Sequence, residues 1–435
     1  MNDKPYDICF VGSGLSCSSV IYNLFSNDHK ESIGFKKILI IEKNDSNLWR
    51  GIPYGGIAKN EFFLIETLRQ APFPIFEEWL LNNRRRLHGL LIDNNEILHN
   101  WYGDNKDNIL SGNILDIYFP RYIFGFFINE IINNIRNASD CGFTIDISYA
   151  EVTDIDRHST NKYRVTTSEN IFFLSRYIVM AIGSIPKHHT VKSKKYFTDS
   201  EFCAVYQYDD IAKEILAGSN DQSLVIVGAS ASALELLYFI SNNDELLLSL
   251  RNIYIISNSG RLIDGLCASD FDALASPDYV LMRRSSDIYR KAVSGIAEKI
   301  TIIKARVKSV EEHGEDLSIV YSKDNAGDNI VRSNIVINCS GSGSLDNTSS
   351  PLLNSLKEKF PVTQERRGFE VSDNNQVIGC PGFFVVGPLL NRAFSSRQVE
   401  SIPAVFREAK VVAEALINVE RNPYLHSKCE SETII

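Results

Sequence analysis

The chain has 435 residues, more than a single hydrophobic core usually spans, so two domains are expected. Its 44% apolar and 23% charged content is that of an ordinary soluble globular protein. A net charge of −9 argues against nucleic acid or an anionic membrane as the main partner, and no apolar run approaches a membrane span in length.

The first residues, Met1-Asn2-Asp3-Lys4-Pro5, lead directly into an apolar stretch without a signal-peptide profile, so a cytoplasmic protein is expected. That stretch is Ile8-Cys9-Phe10-Val11. Gly12-Ser13-Gly14-Leu15-Ser16-Cys17 follows at once and opens a helical segment to about Phe25. Ile38-Leu39-Ile40-Ile41 is a second strand, closed by Glu42-Lys43. Strand, glycine turn, helix and strand make the start of a dinucleotide-binding βαβ unit. Gly12 permits the tight turn, and Gly14 lets backbone N–H groups approach a pyrophosphate at the helix N-terminus. Cys17 replaces the third glycine and is small enough for close helix–strand packing. Glu42 stands where a carboxylate accepts hydrogen bonds from a ribose diol.

Next comes Asn47-Leu48-Trp49-Arg50-Gly51-Ile52-Pro53-Tyr54-Gly55-Gly56, dense enough in glycine, proline and aromatics to be an ordered loop. It follows the carboxyl end of the second strand, the edge where open α/β sheets bind ligands. Two readings stand side by side: Trp49 and Arg50 cover a cofactor, or the loop is structural around a core tryptophan. Residues 60–118 are mostly helical in pattern, and Arg84-Arg85-Arg86 reads as a solvated helix end. Pro120 starts a helix with Ile123, Phe124, Phe127, Ile128, Ile131, Ile132 and Ile135 at core spacing. Stretches 144–149, 163–167 and 170–174 alternate like antiparallel strands. Residues 177–184 then form a buried strand and glycine turn, returning beside the first strand.

A second nucleotide-binding start follows at Ser223-Leu224-Val225-Ile226-Val227-Gly228-Ala229-Ser230-Ala231-Ser232-Ala233, with a helix over 234–241 and a strand over 252–256. Ser230 holds the middle place of the glycine pattern; its Cβ hinders close approach to a pyrophosphate, although its hydroxyl can donate. No carboxylate ends the second strand, and Arg261 lies just beyond. Both features favour a 2′-phosphate and so NADPH over NADH, with Arg283-Arg284 in reserve. Strand-like runs are expected at 300–304, 318–321 and 334–341, the last repeating the plan of 177–184. Pro381-Gly382-Phe383-Phe384-Val385-Val386-Gly387-Pro388 gives another buried strand and turn. The last helix spans 399–416, and a polar, poorly ordered tail begins near Asn418.

The eight cysteines form no C-x-x-C pair and show no zinc-ligand spacing with the histidines, so free buried thiols and no metal are expected. His188-His189 reads as a surface loop rather than a metal pair.

Together, residues 11–19, Gly51-Ile52-Pro53-Tyr54-Gly55, Phe119-Pro120-Arg121, Ala181-Ile182-Gly183-Ser184-Ile185-Pro186, residues 228–233 and Gly387-Pro388-Leu389 resemble the two-dinucleotide-binding-domain flavoproteins. The likeness is greatest to the FAD/NAD(P)-binding family neighbouring flavin monooxygenases and lysine/ornithine N-hydroxylases, and it covers about residues 5–417. It implies an α/β fold of two Rossmann-like domains. A discontinuous FAD domain (1–190 and 341–417, with a helical insertion at about 60–118) would carry an inserted NAD(P)H domain (191–340). FAD would lie on Gly12, Ser13, Gly14, Leu15 and Ser16, with Glu42 and Lys43 at the ribose and Val152 near the adenine. Gly183, Gly387 and Pro388 would line the same edge, with Trp49, Arg50 and Tyr54 above it. NADPH would lie on Gly228, Ser230, Ser232 and Arg261. Asn391-Arg392-Ala393-Phe394 stands where the family has a glycine-bearing stretch, and Arg392, Arg397 and Gln398 are candidate pocket residues.

The resemblance implies an FAD- and NADPH-dependent monooxygenase that N-hydroxylates a small amine or amino acid with dioxygen through a flavin hydroperoxide. The cofactor carries that chemistry, so no catalytic side chain is nominated. The alternatives are an NADPH-dependent flavin reductase or oxidase that never inserts oxygen, and a flavin-binding partner protein without turnover. Aromatic-ring halogenation is disfavoured because Trp49, Trp79 and Trp101 form no W-x-W-x-I-P signature.

Overall fold

The computed structural model describes residues 5–25, 34–55, 63–92, 96–138, 142–159, 162–185, 191, 195–198, 208–218, 221–229, 231–260, 262, 293–323, 327–341, 343–363, 368–390 and 402–421. The chain opens with β1 (Tyr6–Val11), α1 (Leu15–Phe25) and β2 (Lys37–Glu42). Four helices follow: α2 (Pro74–Asn83), α3 (Leu87–Ile92), α4 (Glu96–Ser111) and α5 (Arg121–Asn137). Then come β3 (Thr144–Tyr149), β4 (Val152–Ser159), β5 (Lys162–Thr167) and β6 (Phe172–Met180). These strands make one sheet in the order β3-β2-β1-β6-β5-β4, parallel from β3 to β6 and antiparallel beyond.

A second set runs β7 (Tyr196–Thr198), α6 (Tyr208–Ala217), β8 (Gln222–Val227), α7 (Ala231–Ser241), α8 (Asp244–Ser249) and β9 (Leu250–Ser257). It continues with β10 (Ile300–Lys304), β11 (Arg306–His313), β12 (Asp316–Ser322), β13 (Asp328–Ser333) and β14 (Ile335–Asn338). The all-parallel order is β10-β9-β8-β14-β7, while β11-β12-β13 form a separate antiparallel sheet. The chain then returns through α9 (Pro351–Lys359), β15 (Phe383–Val385), which pairs with β6, and α10 (Ile402–Arg421).

The apolar runs become central strands because both of their faces are covered. Side chains alternate across a strand. Ile8, Phe10, Ile38, Ile40 and Val179 therefore face the core shared with α1, α5 and α10, while Cys9, Val11, Leu39, Ile41, Ile178 and Met180 face β4, β5 and α9. The second sheet repeats the plan: Leu224, Ile226, Ile253 and Ile337 face α6 and α7, whereas Val225, Ile256 and Val336 face the antiparallel sheet.

Several elements depart from the sequence reading, among them β3, β4 and the last helix. The 144–149 stretch, expected to be antiparallel, is β3, running parallel to β2 at the sheet edge. Its alternating pattern reflects one open face, which an edge strand shows in either direction. Strand β4 carries Asp154, Asp156, Arg157 and His158 and gave no apolar signal. The last helix continues through Arg421, past the expected tail boundary. Among the described residues no helix is long and apolar enough to cross a membrane.

Candidate dinucleotide sites

The two parallel sheets end in the same hydrogen-bond pattern. The Gly12 N–H donates to Ile41 O at 2.9 Å and the Ala181 N–H to Val11 O at 2.8 Å. In the second sheet the Gly228 N–H donates to Ile256 O at 2.8 Å and the Cys339 N–H to Val227 O at 2.7 Å. Gly12 thus corresponds to Gly228, Ala181 to Cys339, and Glu42 to Ser257. Both turn glycines have positive φ, +89° and +96°, and a Cβ would lie 2.6 Å from Ala181 O or 2.5 Å from Cys339 O. Gly183 and Gly341 occupy matching places two residues beyond those carbonyls, with φ +81° and +83° and open space where a Cβ would point. Each sheet therefore ends, at its carboxyl edge, in a glycine turn packed closely against the neighbouring strand end.

Glu42 is held by the first turn itself. Its Oε2 accepts from the Ser13 N–H at 2.8 Å and the Ser13 hydroxyl at 2.6 Å, and Oε1 accepts from the Asn44 N–H at 3.1 Å. The carboxylate is 8% exposed. A carboxylate offers about four acceptor directions, and the structure gives Oε1 one protein donor. Lys43 pairs at the surface with Glu151 at 3.1 Å. Val152 opens β4 next to Glu151, and the Ala150 N–H donates to Glu42 O at 3.0 Å, so these residues share the β2 edge.

Gly14 serves packing. A Cβ there would lie 3.2 Å from Gly51 Cα, and Gly51 has φ +66°. The 47–55 loop therefore crosses directly over the first turn. Trp49 is 1% exposed and belongs to the hydrophobic core rather than to the sheet's carboxyl edge. Its carbonyl accepts from Ser18 Oγ at 2.6 Å, and its Nε1–H donates to Asn133 Oδ1 at 3.2 Å. These ties hold it at φ +67°, a strained value for a tryptophan. Arg50 is half-buried near Tyr122; one Nη donates to Ser46 O at 3.1 Å while its Nε is buried without a partner, and desolvation pulls the guanidinium pKa down. Tyr54 packs edge-on against Phe124 at 4.9 Å, with burial raising its phenol and Arg121 opposing that shift.

Leu15 and Ser16 open α1, and the Ser16 side chain fills the space a Cβ on Gly387 would need, so the Gly387-Pro388 turn closes over the helix start. In the second unit Ser232 is buried in the first turn of α7. Ser230, Arg261, Arg283, Arg284, His188, His189, Arg392, Arg397 and Gln398 lie outside the described residues. Among the described residues no three His, Cys, Asp or Glu side chains converge as metal ligands.

One pair was missed by sequence reasoning. Arg121, at the start of α5, bonds Glu235 on α7. The available signal was Glu235 itself, a lone carboxylate in the apolar run Ala231–Ser241.

One mixed and one all-parallel open sheet, each closed by a matching glycine turn, give the chain the α/β architecture of two-dinucleotide-binding-domain flavoproteins. Residues 9–185 match the family model described as FAD-NAD(P)-binding. An uncharacterised protein of Mycobacterium tuberculosis is 22% identical, the alignment covering 95% of each chain. Among solved structures, the FAD-bound cadaverine monooxygenase of desferrioxamine biosynthesis from Erwinia amylovora aligns at TM-score 0.62 and 12% identity, over 95% of both chains. The ornithine hydroxylase of Pseudomonas aeruginosa aligns at TM-score 0.60 and 13% identity, over 95% of this chain and 99% of that one. The thioredoxin reductase of Lactococcus lactis aligns at TM-score 0.52 and 13% identity, with the same coverage.

Proposed function

We propose that the chain is an FAD- and NADPH-dependent oxidoreductase that N-hydroxylates a small amine or amino acid with dioxygen. The observation that carries this reading is the pair of matched glycine turns, Gly12/Gly183 and Gly228/Gly341. The residues fit the two groups. FAD meets Gly12, Ser13 and Gly14 at the start of α1, with Glu42 holding a ribose hydroxyl through Oε1. NADPH meets Gly228, Ser230 and Ser232, where β9 ends in Ser257 rather than in a carboxylate that would repel a 2′-phosphate. Residues 1–190 and 341–417 form the FAD domain in this reading, and 191–340 the NADPH domain.

Held on these residues, FAD would supply the hydride acceptance from NADPH and the reactivity toward dioxygen that this chemistry requires. The chain orients the two cofactors and keeps water from the reacting face. The 47–55 loop, seated on Gly14 through Gly51, lies across the turn. Arg50 and Tyr54 are the pocket residues this loop offers.

The test is the visible spectrum of the purified protein before and after anaerobic NADPH, then product mass with dioxygen and lysine, ornithine or cadaverine. Yellow protein, bleaching, and a product one oxygen heavier are expected. Colourless protein that refuses added FAD overturns the reading. The fold likeness to a thioredoxin reductase favours a second reading, reduction without oxygen insertion. Peroxide with no change in amine mass selects it.

A further inference from the structure

Arg121 and Glu235 join the two nucleotide units through a water-poor charge pair. Their side chains are 19% and 9% exposed, so solvent screens them little. The Arg121 guanidinium also lies over the Phe63 ring, 5.4 Å from its centroid, and the Arg121 backbone N–H donates to Phe63 O at 2.7 Å. Phe63 is fully buried in the second unit's core, stacked on Tyr208 at 5.2 Å and 6.5 Å from Tyr238. A charge and an aromatic plug from the first unit thus grip α7, the helix that begins just beyond the Gly228 turn.

On the other side, the Tyr54 carbonyl rests on Gly125, in the first turns of α5, and Gly51 of the same loop touches Gly14. A continuous row of packed groups therefore runs from Gly14 through Gly51, Tyr54 and Arg121 to Glu235. Stability alone is a poor reason for such a pair, since desolvation offsets most of the attraction; fixing a geometry is a better one.

We propose that the Arg121–Glu235 pair is a positioning device that sets the separation of the two glycine turns and so places the nicotinamide against the flavin. The proposal rests on the dinucleotide reading above. Hydride passes from the nicotinamide to the flavin with its electron pair, leaving NADP⁺ and reduced flavin; neither Arg121 nor Glu235 exchanges a proton.

The test uses the FAD-loaded chain with R121M, E235Q and the exchanged pair R121E/E235R. Three quantities are measured: limiting rate of anaerobic bleaching at saturating NADPH, FAD and NADPH affinity, and the thermal unfolding midpoint without NADPH. Each single variant should slow bleaching about 10–100-fold, the scale set by small misplacements of reacting groups. Affinities should stay within about twofold, and the exchanged pair should recover both rate and midpoint. If the single variants do not fold, R121K and E235D, which keep charge but alter reach, carry the same expectation. Unchanged bleaching in a yellow variant, or slowing that only tracks lost FAD or NADPH, overturns the proposal. A parent chain that refuses FAD instead overturns the dinucleotide reading.

Discussion

Ser13 gives two hydrogens to one oxygen of Glu42, from its N–H at 2.8 Å and its hydroxyl at 2.6 Å. The end of β2 therefore shapes the glycine turn from below, before any ligand arrives. Hydrogen bonds to a charged group contribute about 1.5–3 kcal/mol, and a buried donor left unpaired costs a similar amount. Glu42→Ala should lower unfolding stability by about that much and weaken FAD retention at least tenfold. Ser13→Ala, which keeps the N–H bond, should lose less in both. Urea unfolding and fluorescence of released FAD measure the two effects; equal losses from both substitutions would contradict the network.

Gly12 and Gly228 should separate the cofactors. A side chain at positive φ costs about 1–2 kcal/mol, and here its Cβ also meets a backbone oxygen. Gly12→Ala should emerge colourless. Gly228→Ala should stay yellow but fail to bleach with anaerobic NADPH. The reverse assignment of colour would show that the cofactors occupy the opposite turns.

Trp49 is a structural prop, so its substitution should register in stability before chemistry. Trp49→Phe removes the bond to Asn133 and should cost about 0.5–1.5 kcal/mol. Trp49→Ala adds a cavity and should cost about 3–5 kcal/mol. The flavin absorption maximum should be unmoved in Trp49→Phe; a shifted maximum would put the ring beside the flavin instead.

Acid should loosen the contact between α9 and β4. Lys359 Nζ lies 2.5 Å from Asp154 and 2.6 Å from Asp156, and with Arg164 it holds the Asp156 carboxyl at about 2. An unfolded aspartate titrates near 3.9. Because the folded value is lower, the stabilisation is complete above about pH 4 and disappears as pH falls through about 2. Partial exposure keeps it below about 1 kcal/mol. Lys359→Met should therefore cost more at pH 5 than at pH 2.5 in paired unfolding curves. A cost independent of pH would mean the lysine acts through packing alone.

Residues 8–14, 38–42, 177–184, 223–228 and 334–341 carry their own instructions. A short apolar run that stops at small residues or a lone acid and leads into a helix or turn reads as a covered strand, so the two strand–turn–helix starts were legible in the sequence. The same local logic placed Pro120 at the head of α5. It could not place β3, whose alternation is that of any half-covered strand, nor β4, whose aspartates pair with Lys359 on α9 and Arg164 on β5. It left Trp49 undecided because burial depends on Ser18 and Asn133, 31 and 84 residues away. Nor could spacing bring Arg121 to Glu235, 114 positions apart. Local chain stiffness and hydrophobic period act over a few residues, so sequence fixes turns and strands directly. Which buried charge meets which, and which loop lies across a turn, follows from how the two sheets dock.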